Sequence, residues 1–233
     1  MLIAALLGLG RWQLRRADAK RALDGMFAAG ADASRTVDRD TPRLPRYQHI
    51  EASGSYDSTR QVLIDNMSNA QGRAGYYVIT PFALRGGGWI LVNRGWVPLG
   101  ASRAAVPQIA VASQPRELRG RADELPRAGL QLGSRIPLAA PYPVVAGFPT
   151  HDEIARLMHE SAWSRAADVV LLDPGESDGY LREWQAPGFP PMRHIAYAVQ
   201  WFGLALTLAV IYVVTNLRRI PSRSADSSAG KRR

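Results

Sequence analysis

The sequence predicts an α+β protein in which two transmembrane helices flank an external, mainly antiparallel β domain carrying one or two helices. Three observations predict it. Residues 195–217 run for 23 positions without a formal charge. A series of short segments in the middle of the chain is rich in β-branched and aromatic residues and punctuated by turn residues. The positive charge of the chain, +9 overall, is concentrated at the two ends.

The N-terminus, MLIAALLGLG, is apolar and is followed by RWQLRRADAK. Residues 2–14 supply about 20 Å of helix, short of a hydrocarbon core of about 30 Å, and Arg11 interrupts them. No basic stretch precedes the apolar run and no small-x-small cleavage site follows it, which argues against a signal peptide. Residues 1–14 are therefore read as an abbreviated first transmembrane helix whose beginning lies upstream of Met1.

Residues 15–193 are long enough for one external domain with its own core. YQHIEASGSY, QVLIDNM, GYYVITPFAL and WILVNRGWVP read as strands, separated by Gly, Asn, Asp and Ser. Their short spacing predicts antiparallel pairing, with Gly86, Gly87 and Gly88 as a hairpin turn. RELRGRAD and DVVLLDP read as later strands. Between them THDEIARLMHES reads as a helix, with Thr150 and Glu153 at capping-box spacing and Ile154, Leu157 and Met158 on one apolar face. The five prolines of residues 125–149 predict a long irregular connection.

Residues 194–217 form the second transmembrane helix. The uncharged run spans about 34 Å, and it is bounded by Pro190 and Pro191 before and Arg218 and Arg219 after. The tail, residues 218–233, holds six cations against Asp226, a net of +5, which predicts a cytoplasmic C-terminus. With two spans both termini are cytoplasmic, and His194 stands outside. Residues 22–217 are neutral overall. A nucleic-acid partner calls for a basic stripe on the folded domain, and none is evident.

Catalytic and metal chemistry find little support. The chain has no cysteine, which removes thiolate copper sites, CxxC redox chemistry and c-type haem attachment. His151, Asp152, Glu153, His159 and Glu160 lack the HExxH spacing and read as a solvated helix face. No GxSxG elbow presents a serine, and no enzyme is predicted.

Four segments carry a resemblance. GRWQLRRADAK at 10–20, GYYVITPF at 75–82, VNRGWVP at 92–98 and HIAYAVQWFGLAL at 194–206 resemble, in order, the signatures of the surfeit locus protein 1 family of cytochrome oxidase assembly factors. The resemblance implies two transmembrane helices around a domain in the bacterial periplasm or mitochondrial intermembrane space. With no mitochondrial targeting sequence visible, the expected location is a bacterial inner (plasma) membrane. It implies a role in maturing haem-copper oxidase. The expected partners are cytochrome c oxidase subunit I, the machinery of haem a synthesis and membrane lipid. It also implies transiently bound haem a, with His194 as the ligand to haem iron.

Around that histidine, Arg193, Tyr197 and Trp201 are candidate haem-binding residues. His194, Ala198, Trp201, Ala205 and Tyr212 fall along one stripe of the helix, with Tyr197 beside it. Arg193 suits a haem propionate or a lipid phosphate. Ala198 and Ala205 leave room for a flat ligand or for another helix. The alternative is an interfacial histidine within an ordinary aromatic belt. Trp12, Gln13, Asn93, Arg94 and Trp96 are candidate partner-binding residues. For the last three the alternative is a structural strand end, in which Asn93 tolerates a turn, Gly95 permits a bulge and Arg94 satisfies carbonyls. A haem-free scaffold that holds oxidase subunits together is the competing function.

Overall fold

A computed structural model describes residues 1–29, 33–100, 105–128 and 138–217. The basic tail lies outside the described residues. The chain divides into two compact units, Met1–Asp24 with Pro187–Arg233, and Gly25–Ala186.

The first unit is a helix pair. Helix α1 runs Leu2–Ala29, 28 residues, far beyond the residue-14 end that the apolar run suggests. Leu, Ala, Arg, Lys and Gln are all good helix formers, and no proline interrupts them. Ion pairs one turn apart, the exposed Arg21 with Asp18 and the part-buried Lys20 with Asp24, add local support. Helix α3 spans Pro191–Leu217, 27 residues. Pro191 starts it, because a first-turn residue needs no N–H donor and the fixed φ of proline is already helical. His194 therefore stands in the first turn rather than at the helix start. Among the described residues α3 is the one helix long and apolar enough to cross a membrane.

The second unit is a closed β structure. Its strands are β1 Arg35–Thr36, β2 His49–Tyr56, β3 Val62–Ser68, β4 Ala74–Leu84, β5 Trp89–Pro98, β6 Arg116–Asp123, β7 Val144–Ala146 and β8 Val169–Leu172. Pairings β2–β6, β6–β8, β8–β5, β5–β4 and β4–β2 complete a ring. Strand β4 is shared: its last residues pair with β2 and its first part with β3. In β2 alternate residues Ile50, Ala52, Gly54 and Tyr56 are buried, the period of a strand with one face on a core. At Gly54 a Cβ would stand 1.9 Å from the Ala83 carbonyl oxygen, so only glycine lets β2 and β4 meet there. Strand β5 is buried on nearly every residue. Ile90 and Val92 join the cluster inside the ring, while Leu91 and Trp96 join a second cluster with Ile154 of helix α2, His151–Leu157, and Met158 at its C-cap.

Pairing is mainly antiparallel, as the spacing predicts, but β5–β8, β3–β7 and β1–β2 are parallel. The connection expected to be irregular over 125–149 contains β7, whose Val144 and Ala146 are buried against β3; flanking prolines hide so short a strand. The capping box forms as expected, Glu153 N–H donating to Thr150 Oγ1 and Thr150 N–H to Glu153 Oε2. The three-glycine segment makes the β4–β5 turn.

Candidate functional site

The helix pair is built on small residues. Gly10 and Ala17 of α1 and Ala198 and Ala205 of α3 are buried. A Cβ on Gly10 would lie 2.6 Å from the ring of Phe202, so glycine sets how closely the two helices pack. Ala198 and Ala205, 1% and 2% exposed, are covered in the helix pair, as the reading of small residues admitting another helix expects. Between Gly10 and Ala17 on the same face lies Gln13, whose Oε1 is 2.8 Å from Nδ1 of His194. An amide oxygen can only accept, so the contact is a hydrogen bond in the tautomer that carries its proton on Nδ1.

The other ring nitrogen, Nε2, makes no hydrogen bond among the described residues and is not among the buried polar atoms without a partner. It is open to a ligand. Tyr197, 45% exposed, is one turn along α3, and Trp201 is partly buried beyond it. Arg193 is exposed, with its guanidinium 4.3 Å from the Phe189 ring centroid. Haem iron takes the lone pair of a neutral imidazole, and the unpartnered Nε2, on the same first turns of α3 as exposed Arg193 and Tyr197, is of the chemistry that could hold such a group. Trp12 is 51% exposed, with the Arg16 guanidinium 6.0 Å from its ring.

The strand-end residues have a different place. Asn93, Arg94 and Trp96 are 1%, 2% and 6% exposed, so all three belong to the interior of the second unit. Gly95 has φ +114°, and the β4–β5 register shifts across it, placing Arg94 and Gly95 opposite Val78. This is the bulge expected from the sequence. Asn93 Oδ1 accepts from Gly95 N–H at 3.0 Å, and Trp96 Nε1 donates to the Met67 carbonyl at 3.0 Å. Arg94 donates to the carbonyls of Asp178, Ile109 and Ala110 and to Gln61 Oε1. Tyr56 and Tyr180 flank its guanidinium at 5.6 and 5.0 Å. Burial pushes the Tyr56 hydroxyl up to about 12, against the opposing pull of Arg94 and Arg116. The geometry supports a structural latch, in which Arg94 satisfies carbonyls, over direct contact of these side chains with a partner.

A recess of about 1030 Å³ beside α2 escaped the sequence reading. Arg43, His151, Arg156, Trp163, Arg165 and Asp168 are among its lining residues. His151 is packed edge-on to Trp163 at 5.3 Å rather than solvated as expected, and burial lowers its pKa against the pull of Asp168 and Asp152. Ser161 and His159 line the same recess, and among the described residues no hydrogen bond joins Ser161 to a histidine. Among the described residues no three His, Asp or Glu side chains converge as metal ligands. Only a pairing of α2 with Trp163, 163 being outside any periodic element, could have revealed this recess; the Gln13–His194 contact had a clearer signal in the 3–4 spacing of Gly10, Gln13 and Ala17.

Comparison with known proteins places the chain. The model of the SURF1 family matches residues 1–206. A SURF1-like protein of Rickettsia felis (strain ATCC VR-1525 / URRWXCal2) is 26% identical over 221 residues, covering 90% of this chain and 91% of that protein.

Proposed function

The chain belongs to the SURF1 family, and from that premise we propose that it is a membrane-anchored assembly factor for haem-copper (cytochrome c) oxidase that binds haem a and assists its delivery to subunit I. Membership supports a role in oxidase assembly in general. The finer reading rests on one observation: the first turn of the one strongly apolar long helix among the described residues presents a histidine whose Nε2 has no hydrogen-bond partner there.

Bound there, the haem supplies the metal and redox centre that the oxidase requires. The chain supplies the rest. His194 would hold the iron through Nε2, Tyr197 would present an aromatic face and hydroxyl, and Arg193 would offer a cation to a propionate. The exposed apolar side chains of α3, Leu204, Leu206 and Val210 among them, face lipid in this reading. In this reading α1 is the partner span, the β unit is periplasmic, and both termini are cytoplasmic in a bacterial inner membrane, as the +5 tail favours. Subunit I, the haem a synthesis machinery and membrane lipid are the proposed partners.

The test is the optical spectrum of protein purified from cells that make haem a. Wild-type protein is expected to carry a haem band, and His194→Ala to lose it while its membrane level holds. Haem retained by His194→Ala at wild-type content and with an unchanged spectrum overturns the ligand assignment. Wild-type protein free of haem transfers the role to a haem-free scaffold for oxidase subunits.

A further inference from the structure

We infer that Gln13 is a positioning residue for the haem ligand: its amide oxygen holds His194 with the proton on Nδ1, which fixes Nε2 as the donor and tunes how strongly it donates. The inference rests on His194 being the ligand.

A neutral imidazole has one nitrogen with a proton and one with a lone pair, and the hydrogen bond made at one nitrogen decides which is which. With the proton on Nε2 the outward nitrogen could not bind iron. The 2.8 Å contact from Gln13 Oε1 to Nδ1 stabilises the opposite form and restrains the ring's rotation. Gln13 is well held for this. Gly10, three residues before it, is packed against Phe202, and Ala17, four residues after it, is fully buried. The amide has no other hydrogen bond among the described residues, so nothing competes for its oxygen.

A hydrogen bond to Nδ1–H also shifts electron density toward Nε2 and makes it more basic, which favours the ferric over the ferrous state. A carboxylate at position 13 strengthens this effect and an apolar residue abolishes it. If Gln13 served only to join the helices, Gln13→Leu would lower the stability of the helix pair, since it leaves the His194 Nδ1 side of the contact without its partner, but would leave the affinity and potential of the haem unchanged.

The test uses the full chain in detergent, first without haem. In ¹⁵N-histidine spectra, with His194→Ala identifying the His194 signals, wild type is expected to show Nδ1 protonated and Gln13→Leu to lose that preference. Ferric haem b is then titrated in. Gln13→Leu is expected to bind about 10- to 100-fold more weakly and to raise the reduction potential of what is bound. Gln13→Glu, which keeps the contact, is expected to restore affinity and lower the potential below that of wild type. A wild-type His194 protonated on Nε2 overturns the inference. So does a Gln13→Leu protein with wild-type affinity and potential, and if His194→Ala has lost binding in the same titration, the ligand assignment stands alone. Wild-type binding by His194→Ala removes the ligand assignment itself, and the inference with it.

Discussion

Arg94→Met should open one end of the β unit without dismantling the rest. Arg94 Nε donates to the Asp178 carbonyl at 2.8 Å, Nη1 to Gln61 Oε1 at 3.0 Å and the Ile109 carbonyl at 3.1 Å, and Nη2 to the Ala110 carbonyl at 3.2 Å. Its own carbonyl accepts from Tyr180 N–H, and Trp96 exchanges backbone bonds with Leu181 beside it. Methionine keeps the volume and removes the donors. An acceptor left unsatisfied in the interior costs about 1–3 kcal/mol. The bonds to Asp178 and Ala110 are only part-buried, so water replaces the donor there; those to Gln61 and Ile109 are buried. Gln61 Oε1 keeps a donor in Thr80 Oγ1, and the Ile109 carbonyl keeps Gln61 Nε2. Two partial penalties give about 2–4 kcal/mol, or about 30- to 1000-fold in an opening equilibrium. Native-state hydrogen exchange reads this directly: the amides of Tyr180 and Leu181 should exchange faster by that factor, while those pairing β3 with β7 hold. Unchanged protection at Tyr180 would refute the idea that Arg94 latches this segment.

Three further outcomes are expected. Burial lowers the pKa of His151, which faces Asp168, Asp152 and Arg43, below the ordinary 6.5; the unfolded chain then binds the extra proton first, so stability present above that pH is lost as pH falls through the folded value. His151→Phe keeps a ring against Trp163, and its melting temperature should fall less than that of wild type from about pH 7.5 to about pH 5; equal falls would dismiss this role. A reporter active only in the periplasm should work when inserted at Gly86 and fail when fused after Arg233, and the reverse pattern would invert the proposed topology. Gly10→Ile should destabilise the helix pair by about 1–3 kcal/mol through overpacking on Phe202, seen as a lower melting temperature. Gly8→Ile, where a Cβ meets nothing within 4 Å, is the control, and equal losses would show that the Phe202 contact is not the cause.

Much of the β unit was legible because its signals are local. Alternation in β2, the glycine turn before β5, the Thr150–Glu153 cap and the Gly95 bulge each depend on neighbours within a few residues. Closure of the ring was not legible, since it depends on Gly54 admitting Ala83 at a strand crossing and on β8 inserting between β5 and β6. Nor was the burial of Arg94. The sequence left Arg94 open between a partner contact and a residue that satisfies carbonyls, because the acceptors that decide it, Gln61, Ile109, Ala110 and Asp178, are distant in sequence. For α1 the error came from equating the apolar run with the helix: charged residues end a membrane-compatible stretch, but Arg, Lys and Ala continue a helix well.

Two of the four segments that carry the family resemblance, residues 10–20 and 194–206, are halves of one helix seam. Gly10, Gln13 and Ala17 recur at intervals of three and four, and so do His194, Ala198, Trp201 and Ala205; these are the spacings that keep side chains on one helical face. The small residues at Gly10, Ala17, Ala198 and Ala205 are buried, and the polar pair Gln13–His194 sits among them. A polar pair in such a seam is costly unless both groups are satisfied, and here one hydrogen bond satisfies the amide oxygen and Nδ1 together. What stays unsatisfied is Nε2, open at the first turn of α3. The seam thus accounts for every polar atom of its histidine except the one a metal would need, which is why the site is argued from the pairing of α1 with α3 and not from α3 alone.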